Sequence, residues 1–300
     1  MSQQLNALLT ALYVFIDDHV APPRTGRGRR PLLSDSELVT LAVAQSLLGF
    51  HSEHRWIRYA MCHLRGHFPH LPKQPGYNKR LRAAEPLIRT AIRALGRDSH
   101  LWFDNHWIAD STPVPCAMSR PAVKRSQLAG WANYGYCASH SRFFWGLRLF
   151  LVCTPAGLPI LWALADPKAD GGEPAVLAAM IEHDAELLAD RQGLVLVCDK
   201  GFASRALEAR LREMGAAMLR PSRKREKARP GEGLLKSVRQ LIESVNDTMK
   251  GQLGLEAHGG RTVQGVMARV GQRILALTAA VWNNHRMGHP VLRSLTGYDH

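Results

Sequence analysis

Two short apolar runs, each leading to an aspartate, constrain this chain most. Residues 101–108 (LWFDNHWI) lead through Ala109 to Asp110, and residues 193–198 (GLVLVC) lead directly to Asp199. Short runs of aliphatic and aromatic residues bounded by turn formers read as buried strands. Residues 143–154 (FFWGLRLFLVCT) and 158–165 (LPILWALA) flank a Pro-Ala-Gly turn and read as a hairpin. Residues 216–219 give a fifth strand, and helical patterns cover 174–189, 204–214, 234–255 and 263–283. Three early strands followed by alternating helix and strand predict an α/β fold: a mixed five-stranded sheet flanked by helices.

The first hundred residues read differently. Leu5, Leu8, Leu9, Leu12 and Phe15 recur at helical spacing over 5–20. A Pro- and Gly-rich break at 21–31 carries Arg24, Arg27, Arg29 and Arg30. Ser34 or Asp35 caps a second helix reaching Leu48, with Glu37 in its first turn. A third helix covers 53–64, and Pro69, Pro72 and Pro75 punctuate a loop. A fourth, over 79–95, shows Arg82, Arg89 and Arg93 on one face. The expected organisation is thus a small all-helical basic domain over 1–100 and a second domain over 101–300.

The net charge is +14, and it is spread evenly. Residues 1–100 hold 14 basic and 7 acidic side chains, and the remainder carries an equal excess. So broad an excess suits a polyanion, with phosphate contacts along a wide surface. Two segments concentrate it. Arg27, Arg29 and Arg30 lie in the flexible break. Arg220, Arg223, Lys224, Arg225, Lys227 and Arg229 lie in RPSRKREKAR, between the fifth strand and the following helix. Both are candidate DNA-phosphate contacts. No uncharged apolar run reaches membrane-spanning length, and no Gly-rich phosphate loop occurs, so neither a membrane partner nor a nucleotide cofactor is expected. Five scattered cysteines without a Cys-x-x-Cys pair point to a reducing, cytoplasmic setting. Cys62, His63, His67 and His70 cluster but lack the second cysteine pair of a zinc module. Trp131, Tyr134 and Tyr136 read as core or edge packing.

Asp110 and Asp199 stand where an open sheet places its ligand crevice, at strand ends. Either alone would be read as a turn former. A third acid, Glu243, lies in the long helix KSVRQLIESVNDTMK. At 100° per residue Arg239, Glu243 and Lys250 share a face, while Leu241, Val245 and Met249 form an apolar one. Three converging carboxylates repel one another unless a cation lies between them. Oxygen ligands of this kind favour Mg²⁺ or Mn²⁺, and two such ions suit in-line displacement at phosphorus.

These residues carry a resemblance. IADSTPVP around Asp110, VCDKGF around Asp199 and RQLIESVNDTMK around Glu243 resemble the DDE transposases of bacterial insertion sequences, most closely the insertion-sequence-982 group. Asp-x-Gly-Phe at Asp199, with Arg-x3-Glu-x6-Lys at Arg239, Glu243 and Lys250, also looks like the insertion-sequence-4 type. That type often has a tyrosine where this chain has Lys236. The resemblance implies an RNase H-like catalytic domain with Asp110, Asp199 and Glu243 as catalytic residues holding two Mg²⁺ or Mn²⁺ ions. Arg239, Lys250 and Lys200 would support them on DNA phosphate. The implied activity is cleavage at terminal inverted repeats, then joining of the freed 3′-OH to target DNA by a nucleoid-associated homodimer. Two other readings stay open: a catalytically inactive DNA-binding derivative, and an RNase H-like nuclease without strand transfer.

Overall fold

The computed structural model describes residues 2–23, 31–137, 141–189, 191–224, 226–291 and 294–298. The basic break with Arg24, Arg27, Arg29 and Arg30, and Arg225 of the second basic segment, lie outside these. Two compact units emerge: Met1–Ser99 together with Thr248–His300, and His100–Asp247. Among the described residues no helix is long and apolar enough to cross a membrane.

The first unit is helical: α1 (Gln3–His19), α2 (Asp35–Leu47), α3 (Glu53–His63), α4 (Gln74–Ala83) and α5 (Glu85–Arg97). Ser34 starts α2 with a capping box. Its hydroxyl accepts from the Glu37 amide at 3.0 Å, and the Glu37 carboxylate accepts from the Ser34 amide at 2.5 Å. The single helix expected over 79–95 is two helices, because Pro86 occupies the first turn of α5 and favours a new start there. The C-terminal helix α11 (Val263–Arg286) completes this core. Of its 24 residues, 18 are buried, so it can only be a central helix. It packs on α1, α2, α4 and α5. Residues 248–300 thus cluster with the N-terminal helices, whereas the expected boundary placed them in the second domain. A linear reading of the sequence does not reveal that α11 fills a core opened by α1–α5.

The second unit begins with a 3-10 turn at His100–Phe103 and then β1 (His106–Ala117), α6 (Arg120–Lys124), β2 (Asn133–Cys137), β3 (Arg142–Cys153) and β4 (Pro159–Ala165). It continues through α7 (Gly172–His183), α8 (Glu186–Ala189), β5 (Val195–Cys198), α9 (Arg205–Glu213), β6 (Ala217–Leu219) and α10 (Leu235–Asp247). The sheet runs β2-β3-β1-β5-β6, with β4 also paired to β3. β2 pairs with β3 over 142–146 and β4 over 148–153, so both share one edge of β3. Without β2, the order is β4-β3-β1-β5-β6, with β4, β3 and β1 antiparallel and β1, β5 and β6 parallel. That is the RNase H-like arrangement, with one strand more than the five expected. The extra strand, NYGYC, has Tyr134 and Tyr136 on its exposed face, with Tyr136 against Phe143 (ring centroids 4.9 Å).

β1 also continues past Asp110, where Ser-Thr-Pro-Val-Pro suggested an end. It pairs with β5 only over His106–Ala109, but with β3 from Ile108 to Ala117. Pro113 and Pro115 therefore fall where β1 has lost a neighbour and needs fewer donors.

Candidate active site

β1 and β5 part at Ala109 and Cys198, one residue before each aspartate. Asp110 and Asp199 thus leave the ladder together, from adjacent parallel strands. Both first satisfy a local need. Asp110 Oδ1 accepts from the Ser111 amide at 2.8 Å, and Asp199 Oδ1 accepts from the Lys200 amide at 2.7 Å, capping a 3-10 turn at Lys200–Phe202. Local turn chemistry and convergence on one place coexist here.

The electrostatics of Asp110 reflect its neighbours. Burial pushes the Asp110 carboxyl up to about 6, and the nearby Glu173 and Asp199 carboxylates add to the rise. The Ser111 amide and the Arg148 guanidinium work against it. The Cys198 thiol is raised above its ordinary value by burial first, then by Asp110, Asp199 and Glu173.

Helix α10 lies against β1. Asn246 Nδ2 donates to Asp110 Oδ2 at 2.8 Å, and Arg239 Nη1 reaches Asp199 Oδ1 at 3.7 Å. Positions 239, 243 and 246 fall on one helical face. Glu243 is therefore placed between a residue that touches Asp199 and one that touches Asp110, and it is exposed. Asn246 was missed in the sequence, although it falls three residues after Glu243 on the face already singled out. Lys250 falls instead in a π-helical turn, Thr248–Gln252, so the uniform spacing that joined it to Glu243 stops at Asp247. Lys200 is exposed in the turn after Asp199.

In the basic segment 220–229, two of the described cations, Arg220 and Arg229, are paired with acids. Arg220 is buried, and its guanidinium donates to Glu208 and Glu226. Arg229 binds the same two acids at 2.9 Å each. Arg223 donates to the Ala203 carbonyl at 2.6 Å, while Lys224 and Lys227 are exposed. Of the two acids, Glu226 lies within the run and Glu208 outside it, on α9; Glu232, also outside, accepts from Ser222 and the Arg229 amide.

Among the described residues, no group of three His, Cys, Asp or Glu side chains is disposed to hold a metal ion. The donor chemistry still fits a hard divalent cation. Mg²⁺ commonly uses one or two carboxylates and completes its shell with water and substrate phosphate. Asp110 and Asp199 supply two, in a place where negative charge is already costly.

The sheet, with Asp110 and Asp199 just past the last paired residues of the β1–β5 ladder, defines an RNase H-like α/β domain with two carboxylates side by side where adjacent parallel strands part. The family comparison names the class more closely. The family described as "Transposase DDE domain" matches residues 101–279, more than half of the sequence, and the chain belongs to that family. No curated protein matches. Among solved structures, a piggyBac transposase synaptic complex with hairpin DNA, determined by cryo-EM, is similar with a TM-score of 0.48 and 9% identity, over 98% of this chain and 75% of that one. That likeness is too distant to bear on individual residues.

Proposed function

We propose that this transposase-family protein cuts DNA at the ends of a mobile element and joins the freed 3′-OH to target DNA, using Asp110, Asp199 and Glu243. One observation carries the reading: Asp110 and Asp199 lie side by side where β1 and β5 part, beneath a helix that touches both, through Asn246 and Arg239. Asp110 and Asp199 would hold divalent cations, Mg²⁺ or Mn²⁺, with Glu243 turning in from α10 as the third ligand. When bound, such ions neutralise the phosphodiester and activate the attacking oxygen. The chain's own groups then have distinct tasks. Asn246 and the Ser111 amide fix the Asp110 carboxylate from two sides. Arg239, a part-exposed partner of Asp199, is free to exchange that weak contact for DNA phosphate. Lys200, Lys224 and Lys227 offer exposed charge to the same backbone, whereas Arg220 and Arg229 shape the loop that presents them.

The finer points rest on the sequence resemblance: the insertion-sequence-982 grouping, terminal inverted repeats as substrate, and a homodimer working across two ends. The helical unit, with its basic arm, is proposed as the reader of those ends. The test is nicking of a supercoiled plasmid that carries the element's ends. Activity should require Mg²⁺ or Mn²⁺ and vanish in Asp110→Asn, Asp199→Asn and Glu243→Gln. Activity that persists in any of them would reject the site. An oligonucleotide end with a free 3′-OH separates transposition from simple hydrolysis, because cleavage without joining is the nuclease outcome.

A further inference from the structure

The β1–β5 ladder ends at Ala109 and Cys198, so no backbone pairing sets the gap between Asp110 and Asp199. Another group bridges it. Glu173 sits in the first turn of α7, delivered by Gly171 and Gly172, whose φ values of +76° and +67° suit glycine. Its Oε1 accepts from Ser111 Oγ at 2.6 Å and from Arg148 Nη1; Arg148 Nη1 also donates to Ser111 Oγ at 2.6 Å. Ser111 is the neighbour of Asp110. The other oxygen, Oε2, occupies the place a side chain would take at Gly201, two residues beyond Asp199, where an added Cβ would collide with it. One carboxylate thus spans from the Asp110 strand to the Asp199 turn, and Arg148 on β3 pins it to the sheet.

We propose that Glu173 is a positioning residue: a strut that sets the separation of Asp110 and Asp199 and thereby the divalent ion they accept. This rests on the metal-site reading above. Nothing in the sequence marked Glu173, which sits in the loop-like stretch DPKADGGEP. The proposed role is the bridge, so glutamine, which can still accept from Ser111 and Arg148 at one atom and fill the space against Gly201, should serve. Alanine should not. Outer-shell partners of metal ligands typically change metal affinity by about 10- to 100-fold when lost.

The test is Mn²⁺ binding to the full-length protein without DNA, read by electron paramagnetic resonance, alongside plasmid nicking in Mg²⁺ and in Mn²⁺. Glu173→Ala should bind Mn²⁺ about tenfold more weakly and change the Mg²⁺-to-Mn²⁺ activity ratio. Glu173→Gln should stay close to wild type in both. Wild-type affinity and an unchanged ratio in Glu173→Ala would overturn the strut, as would a Glu173→Gln variant as impaired as the alanine. If Glu173→Ala does not fold, Gly201→Ala crowds the same oxygen from the opposite side and should weaken Mn²⁺ binding; wild-type affinity there overturns the strut. Wild-type protein lacking any Asp110-dependent Mn²⁺ signal would overturn the metal-site reading itself, and the strut with it.

Discussion

Asp110→Asn should make the metal-free protein more stable while abolishing its activity. The Asp110 carboxyl is pushed from 3.8 to about 6, by burial first and by Glu173 and Asp199 after it. At about 1.4 kcal/mol per pH unit, holding the charged form at neutral pH costs about 3 kcal/mol. The sign follows from linkage: stability is full below pH 3.8, falls as pH rises through about 6, and stays reduced above it. Asparagine has nearly the same shape and no charge. It keeps one acceptor, and the Asn246 amide can turn to meet its new NH₂ group; an imperfect match returns about 1 kcal/mol. The expected gain is about 2 kcal/mol at about pH 7.5, dwindling to nothing or a small loss near about pH 4. Thermal or urea unfolding of both proteins in a chelator, across that pH range, measures it. Divalent cation should then narrow the difference by stabilising only the wild type. An Asp110→Asn protein destabilised to the same extent at both ends of that pH range would refute the idea that Asp110 sits in a charge-starved, carboxylate-rich pocket.

Other substitutions separate the roles assigned to neighbouring residues. Asn246→Ala should lower nicking at least about tenfold with little change in DNA affinity, because it frees one side of Asp110; unchanged turnover in a plasmid assay would remove Asn246 from the site. Lys224→Ala and Lys227→Ala should each reduce the salt dependence of DNA binding by about one phosphate's worth, read as the slope of log affinity against log salt. Arg220→Ala should lower the melting temperature by several degrees instead, since it removes a buried guanidinium and leaves Glu208 and Glu226 with Arg229 alone; a changed salt slope without lost stability would reverse that assignment. Ser34→Ala should cost about 1 kcal/mol by removing the cap of α2, measured by chemical unfolding.

Much of the sheet-containing unit was legible because strands announce themselves locally. Apolar runs at β1, β3, β4 and β5 sit between turn residues, and two of them lead to an aspartate. What stayed hidden depends on partners distant in the chain. β2 is five residues long and joins the sheet because Gly135 lets its backbone close on Phe144 and Pro167. The strand expected to end at Asp110 runs on to Ala117, carrying Pro113 and Pro115, because β5 has already departed. Glu173 and Asn246 lie 62 residues from Ser111 and 136 residues from Asp110, respectively, and only folding shows what they hold. The segment at 220–229 was read as free positive charge because Glu208, the acid that neutralises two of its arginines, belongs to α9. Arg269, buried on α11 and paired with Glu53, similarly ties together residues 216 positions apart.

The decisive measurement is the Mn²⁺ titration of wild type, Asp110→Asn, Asp199→Asn and Glu243→Gln, each confirmed as folded. If the three acids share one site, each substitution weakens binding and all three silence nicking together. If Glu243→Gln binds and cuts like wild type, or the two aspartates titrate independently, the acids do not work as a unit.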